Sequence, residues 1–220
     1  VLAFGLNLND NIVDLALQIK TFQVNVGNYS YFEINDPKPR TICAASFVER
    51  VYHHAIMNIY HHAFEMIQIE HSFATRPNKG THKALHQTWL NCQANEYWIK
   101  LDVKKFFDTI DHFTLKNLIK EFFNEDEIKI AFNQIIENYN KETKIGLPIG
   151  NLTSQYFANF YLAFLDKYAK EVLKIEKYIR YMDDIVFWGN NIDSIWANFN
   201  KLSSFLNTEL KQSFKPYVVN

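Results

Sequence analysis

Apolar residues recur every three to four positions along several segments of the chain, which is the periodicity of a helix with one buried face. The clearest case is residues 47–70, where Phe47, Val51 and Ala55 begin a series that continues to Ile67. Similar patterning predicts six further helices, over residues 8–22, 81–94, 113–123, 126–139, 154–173 and 193–207. Thr81 is a candidate cap for the helix that ends at residue 94. The chain is therefore predicted to be largely helical.

Shorter segments alternate apolar and polar residues, as a strand with one buried face does. The alternation predicts strands over residues 29–34 and 98–103. The apolar run 185–188, followed by Gly189-Asn190-Asn191, indicates one arm of a β-hairpin, and Asp36-Pro37-Lys38-Pro39 predicts a turn. Helices interleaved with three or four short strands predict an α+β fold.

Two adjacent aspartates, Asp183 and Asp184, lie at the tip of the predicted hairpin. Adjacent carboxylates repel each other, so a cation held between them and a third ligand would stabilise the pair, and an oxygen-ligated ion such as Mg²⁺ fits best. Asp102, near the end of strand 98–103, is the candidate third ligand. Together the three would form a two-metal site for in-line phosphoryl transfer. An ordinary surface turn remains the alternative for the pair taken alone.

Composition agrees with a folded enzyme without identifying one. Hydrophobic residues make up 48% of the 220 residues, with 19 Phe and 12 Tyr, which excludes disorder for most of the chain. No apolar run approaches the roughly 20 residues of a membrane-spanning helix. The two cysteines, Cys43 and Cys92, are isolated and match no metal or redox motif. We therefore expect a reducing cytoplasm and no membrane.

Charge is distributed unevenly along the chain. The formal net charge is −1, yet residues 76–105 carry six Lys or Arg against two acids. This basic segment surrounds the strand that carries Asp102, which suits a polyphosphate ligand, although a solvated helix face would also account for it.

Two of these features resemble the catalytic motifs of a known family, the reverse transcriptases. Asp102 with Phe106 and Phe107 resembles their first catalytic motif, and Tyr181-Met182-Asp183-Asp184 resembles their tyrosine-x-aspartate-aspartate box. The resemblance extends from about residue 31 to residue 215. It implies a right-hand polymerase palm, an antiparallel sheet with helices, joined to mainly helical fingers. It also implies RNA-directed DNA polymerase activity, the addition of dNTPs to a primer 3′-end on an RNA template.

A third motif, residues 146–155, is long and specific to the family. Most reverse transcriptases carry glutamine-glycine and then serine-proline in this block, where the present chain has Ile149-Gly150 and Ser154-Gln155. That replacement resembles the reverse transcriptases of diversity-generating retroelements, bacterial and phage systems that copy an RNA with errors at adenines. Group II intron-like and antiphage-defence reverse transcriptases come close to the same pattern and remain alternatives.

The resemblance assigns roles to individual residues. Asp102, Asp183 and Asp184 are expected to be catalytic and, with the carbonyl of Val103, to bind Mg²⁺, with Mn²⁺ as the alternative ion. The expected substrate-binding residues are Lys38 and Arg40 on the incoming triphosphate, Arg76 on a template or nucleotide phosphate, Phe107 under the sugar, and Ile149 and Gln155 in the block 146–155.

The resemblance also divides the chain into subdomains. Fingers are expected at residues 1–95 and 117–147 and palm at residues 96–116 and 148–220, with the thumb missing. A chain without a thumb should hold the primer–template duplex weakly and be poorly active. Expected partners are template RNA, a DNA or RNA primer, dNTPs and a small accessory protein, in a bacterial or phage-encoded cytoplasmic enzyme. A polymerase-like fold that only binds RNA or protein is the alternative from another class. The three retained aspartates argue against it.

Overall fold

The computed structural model describes residues 1–35, 39–215 and 218–219. Two short N-terminal helices, α1 (Leu2–Leu6) and α2 (Leu8–Lys20), precede a hairpin of β1 (Tyr29–Asn35) and β2 (Pro39–Ala45). The remaining elements are α3 (Phe47–Ile67), α4 (Thr81–Ala94), β3 (Tyr97–Asp102), α5 (Phe106–Thr109), α6 (His112–Phe122), α7 (Asp126–Glu137), α8 (Leu152–Lys167), a π-helical turn (Tyr168–Val172), β4 (Lys177–Tyr181), β5 (Asp184–Gly189), α9 (Ile192–Thr208) and β6 (Val218–Val219).

A four-stranded sheet in the order β4-β5-β3-β6 carries the carboxylates identified in the sequence. All of its neighbouring strands run antiparallel. Ile99 and Leu101 of β3 are fully buried, and so are Ile185 and Phe187 of β5. Their alternation with less buried residues is the period of two expected of a sheet with one face on a core.

Helix α8 lies at the centre of the core that covers this sheet. Most of its residues are buried, and it packs against α3, α6 and α9. Aromatic rings fill the space between the helices, with Phe64 and Phe160 meeting edge to face at 5.6 Å and Phe132 and Phe157 at 5.2 Å. Edge-to-face pairs of this kind add to the free energy of burying each ring.

The α+β architecture, with an antiparallel sheet and helices, is confirmed. All seven helices predicted from periodicity are present, but the one expected from residue 154 begins at Leu152. Thr81 was wrongly predicted as a helix cap. Gly80 occupies that position with φ 96°, and the Thr81 hydroxyl bonds to the Tyr181 hydroxyl at 3.0 Å. Of the predicted turn, only Pro39 lies within the described residues. No helix in the described ranges is long and apolar enough to cross a bilayer.

Candidate active site

Three aspartates converge where two strands of the sheet meet. Asp102, the last residue of β3, is the register partner of Asp184, the first residue of β5. Opposed residues in an antiparallel pair have Cα atoms about 5 Å apart. Asp183 lies in the turn between β4 and β5, and its carbonyl accepts a 3.1 Å hydrogen bond from the Val103 amide. Strand pairing therefore brings Asp102 beside two carboxylates that lie 81 and 82 positions further along the sequence.

The turn that carries Asp183 is tight. Tyr181 and Asp184 are register partners, so only Met182 and Asp183 connect the two strands. Met182 has φ 54°, in the left-handed region that residues other than glycine rarely adopt. This conformation persists only where surrounding contacts hold it.

Two lysines pair with the outer carboxylates. The Lys100 ammonium lies 3.2 Å from Asp184 Oδ1, and both carboxylate oxygens of Asp102 lie within 2.9 Å of Lys215 Nζ. The hydrogen bond to Asp102 raises the pKa of Lys215. Among the described residues, no lysine or arginine forms an ion pair with Asp183. Burial, and then the charges of Asp102 and Asp184, raise the pKa of the Asp183 carboxyl.

The site fits a hard cation by its chemistry, although its side chains are not arranged around one. Within the described residues, no three His, Cys, Asp or Glu side chains form a ready metal cluster. The donor set is nevertheless all oxygen, and two of its three carboxylates are paired with lysine side chains that are about half exposed. Because burial and the charges of Asp102 and Asp184 raise the pKa of Asp183, a cation bound beside it would favour its charged form. Asp102, Asp183, Asp184 and the Val103 carbonyl are therefore the groups that could hold divalent ions.

A cleft of about 810 Å³ opens beside the carboxylates. This volume lies within the range of small-molecule sites. Predicted site residues that line it are Arg40, Phe107, Ile149, Gln155, Asp183 and Asp184; Pro39, Ala74, Thr75, Lys105, Phe106, Asp108, Tyr181, Met182 and Lys215 complete its walls. The structure thus brings together most of the residues named from the sequence. Lys38 lies outside the described residues.

Backbone hydrogen bonds hold two of the cleft residues in place. The Ile149 carbonyl accepts from the Cys43 amide of β2 at 2.7 Å, and the Phe107 carbonyl accepts from the Leu147 amide at 2.7 Å. The Phe107 ring also meets Phe106 edge to face at 5.6 Å. The segment that contains Ile149 is therefore held between β2 and α5.

Arg76 lies beside the cleft rather than in it. Its guanidinium binds the Glu65 carboxylate at 3.0 Å and the carbonyls of Ile69 and Ser72 at 2.6 and 2.7 Å, and its side chain is 9% exposed. It lines a separate small pocket, which shares Thr75 with the cleft. Its contact with a template or nucleotide phosphate stays a prediction.

Sequence reasoning missed three charged residues around the carboxylates. Lys100 lies two residues before Asp102 and shares its face of the strand, a signal that period-two patterning could have revealed. Lys215 reaches Asp102 from the C-terminal segment, for which no local pattern exists. Arg180, fully buried behind the Met182 turn, lies among apolar and aromatic residues in the interior of β4, and this charge in a buried stretch was the available signal.

Comparison with known proteins places this chain in a family. A model of the reverse transcriptase (RNA-dependent DNA polymerase) family matches residues 34–213. The group II intron-encoded protein LtrA of Lactococcus lactis subsp. cremoris is 27% identical over 144 residues, which cover 63% of this chain and 24% of LtrA. An uncharacterized 91 kDa protein in the cob intron of Schizosaccharomyces pombe is 31% identical over 107 residues, 46% of this chain and 13% of that protein. The chain therefore spans a quarter or less of these relatives.

Solved structures agree on the fold. The apo telomerase from Candida tropicalis, truncated from its C-terminal domain, superposes with a TM-score of 0.66 at 15% identity. The match covers 96% of this chain and 54% of that one. At this identity the likeness speaks for the fold alone.

Proposed function

This chain belongs to the reverse transcriptase family, and from that premise we propose that it is the nucleotide-adding part of an RNA-directed DNA polymerase. Its substrates would be dNTPs, a primer 3′-end and a template RNA. The observation that carries the proposal is the pairing of Asp102 with Asp184 across the sheet, with Asp183 in the adjoining turn, beside a cleft of about 810 Å³. In this proposal the fingers are residues 1–95 and 117–147, and the palm comprises the rest.

The residues at the site divide the work of phosphoryl transfer. Asp102, Asp183, Asp184 and the Val103 carbonyl would hold Mg²⁺ or Mn²⁺, which activates the attacking hydroxyl and neutralises charge on the phosphates. Lys100 and Lys215 balance the carboxylates and can turn away, because both ammonium groups are about half exposed.

The remaining cleft residues would bind the nucleotide. Arg40 presents a guanidinium, whose planar fork suits bidentate contact with a triphosphate, and Lys38 is proposed to assist it. Phe107 would lie under the sugar, where a rigid ring leaves no room for a 2′-hydroxyl. Arg76 is kept as a proposed phosphate contact, although reaching the cleft would require it to leave Glu65.

Primer extension on an RNA template tests the proposal, in this chain and in a longer protein that contains it. Asp183→Ala should abolish dNTP addition and leave the thermal unfolding transition cooperative. Asp193→Asn, an exposed carboxylate in the first turn of α9, is the matched control and should extend normally. Full extension by Asp183→Ala would refute the catalytic assignment. RNA binding without extension by the unaltered longer protein would favour a fold that only binds RNA or protein.

For the biological setting, we infer a diversity-generating retroelement from the Ile149-Gly150 and Ser154-Gln155 replacements. Ile149 and Gln155 both line the cleft, which supports a role beside the substrates. Intron-encoded relatives such as LtrA support the alternative, a group II intron-like enzyme. The retroelement proposal includes a cytoplasmic location and a small accessory protein as partner.

The error rate of DNA synthesis should differ between a diversity-generating retroelement enzyme and a group II intron-like enzyme. Isoleucine has no polar group with which to restrain a base or sugar, so a mispaired nucleotide should be rejected less strongly. Each loss of about 1.4 kcal/mol in discrimination raises error tenfold. Ile149→Gln should therefore lower misincorporation, most visibly opposite template adenine. Sequencing cDNA made by both versions on one RNA measures it, and equal error spectra would refute the role of Ile149. A variable repeat and a matching template repeat beside the gene would identify the retroelement independently.

A further inference from the structure

A buried polar network lies directly behind the turn that carries Asp183. Its centre is Arg180 of β4, a fully buried side chain. The Arg180 Nε–H donates to both carboxylate oxygens of Asp166, at 2.8 and 2.9 Å, and the two terminal nitrogens donate to Asn159 Oδ1 at 2.9 Å and Gln68 Oε1 at 3.0 Å. We call Arg180, Asp166, Asn159 and Gln68 the Arg180 frame.

Within the frame, the buried charges of Arg180 and Asp166 neutralise each other. Asp166 is also fully buried and accepts a further 2.7 Å hydrogen bond from the Tyr178 hydroxyl. A guanidinium inside a protein is tolerated only when its donors are paired, and here the acceptors come from α8, the residue after α3 and the turn at Met182. The geometry of the guanidinium is therefore fixed from three elements.

One donor of the frame reaches the turn itself. Arg180 Nη1 donates to the Met182 carbonyl at 3.2 Å. Met182 is the residue with φ 54°, and Asp183 and Asp184 follow it directly. A non-glycine residue stays in this conformation only where its surroundings over-determine it. The contact from Arg180 supplies such a constraint.

The frame also reaches the cleft wall. Asn159 Nδ2 donates to the Ala74 carbonyl at 3.0 Å and to the Thr75 hydroxyl at 2.7 Å, and both of these residues line the cleft. A displacement of the frame would thus move the turn and the adjoining wall together.

We propose that Arg180 is a positioning residue, which fixes Asp183 and Asp184 relative to Asp102 through the Met182 carbonyl. A purely structural role would not need an ion pair, because apolar side chains of similar volume hold a core at least as well as a buried ion pair. What apolar side chains cannot supply is a rigid fork of donors that reaches Asp166 and Met182 at once. The kinetic part of this inference rests on the proposed polymerase function.

Variants can separate positioning from stability. Arg180→Leu alone leaves the Asp166 charge buried and unpaired, so it should lower the unfolding midpoint in urea. The triple change Arg180→Leu, Asp166→Leu and Tyr178→Phe removes both buried charges and the hydroxyl that donates to Asp166. It should restore part of that loss, while Asn159 and Gln68 remain polar and lose the donor that Arg180 supplied. Arg180→Lys keeps a positive charge beside Asp166 without a fork that also reaches Met182. Ile136→Ala, a fully buried change in α7, is the control for lost stability away from the turn.

Methionine methyl NMR reports on the turn without metal, nucleic acid or activity. The chain has three methionines, and two of them, Met57 and Met66 in α3, serve as internal references for Met182. In the triple variant and in Arg180→Lys, the Met182 signal should shift or broaden while the Met57 signal stays in place. In Ile136→Ala the Met182 signal should not move.

Steady-state primer extension then tests the consequence for catalysis. The triple variant and Arg180→Lys should lose about 100-fold in kcat, the scale of a misplaced catalytic group, with KM for dNTP little changed. Ile136→Ala should retain its kcat. An unmoved Met182 signal in the triple variant overturns the inference, and so does recovery of kcat together with stability. If the unaltered longer protein does not extend primers, the proposed function fails, and the Met182 signal alone decides the positioning role.

Discussion

Gly150 lies in the block 146–155, at a position where an added methyl group should measurably destabilise the folded protein. Its φ is +114°, and a Cβ built there would lie 2.8 Å from Ile42 Cγ2 in β2. Cγ2 branches directly from Cβ, so it cannot move aside without a change of rotamer or a backbone shift. The neighbouring Ile149 carbonyl is bound to the Cys43 amide at 2.7 Å, which limits the backbone shift. Gly150→Ala should therefore incur both backbone strain and steric overlap.

The two effects have separate magnitudes. A non-glycine residue in a sparsely populated backbone region costs about 1–3 kcal/mol. Overpacking by a methyl group costs about 1–3 kcal/mol more. Gly80→Ala is the matched control, because its φ of +96° imposes strain while its Cβ would meet no atom within 4 Å. We expect Gly80→Ala to lower the free energy of unfolding by the strain cost alone, and Gly150→Ala to lower it by the strain and overpacking costs together.

Urea unfolding of a double-mutant cycle measures the difference. Ile42→Ala removes Cγ2, so the pair Gly150→Ala with Ile42→Ala should lose less free energy of unfolding than the two single changes combined. The coupling should equal the overlap, about 1–3 kcal/mol. A coupling near zero, with Gly150→Ala no more destabilising than Gly80→Ala, would refute the steric reasoning.

Features that depend on neighbouring residues in the sequence could be predicted from it. Local periodicity identified the long helices, because their buried faces recur within a few residues of each other. It also placed Asp102 at a strand end and Asp183 at a hairpin tip, since a period of two and a turn are local features. Carboxylate chemistry and the family resemblance suggested that Asp102 lies beside the aspartate pair, but the register that places it opposite Asp184 is visible only in the sheet.

Contacts across long sequence separations had no such signal. Lys215 binds a carboxylate 113 positions away, and Arg180 meets the amide of Gln68 across 112. Each depends on how complete elements pack, which no window of sequence contains. Thr81 shows the same limit, because its hydroxyl bonds to Tyr181 instead of capping its own helix. A local preference gave way there to a tertiary contact.

Two further predictions concern the cleft. Phe107→Ala should admit ribonucleotides by removing the ring expected under the sugar, and the ratio of dNTP to rNTP incorporation measures it; an unchanged ratio would mean that Phe107 only packs. Asp183→Asn should stabilise the fold at pH 7 without divalent ions, because burial and two neighbouring carboxylates raise the pKa of Asp183, so its charged form disfavours the folded state. The pH dependence follows from the raised pKa. The free-energy cost of a charged Asp183 in the folded state is absent below the ordinary aspartate pKa and grows as the pH rises from there through the raised pKa. Thermal melts from pH 3 to 8 should therefore show the variant and the parent converging in acid and separating near neutrality, and Mg²⁺ should narrow the gap by stabilising only the parent. A difference in Tm that is constant with pH would show that the charge of Asp183 is not its cause.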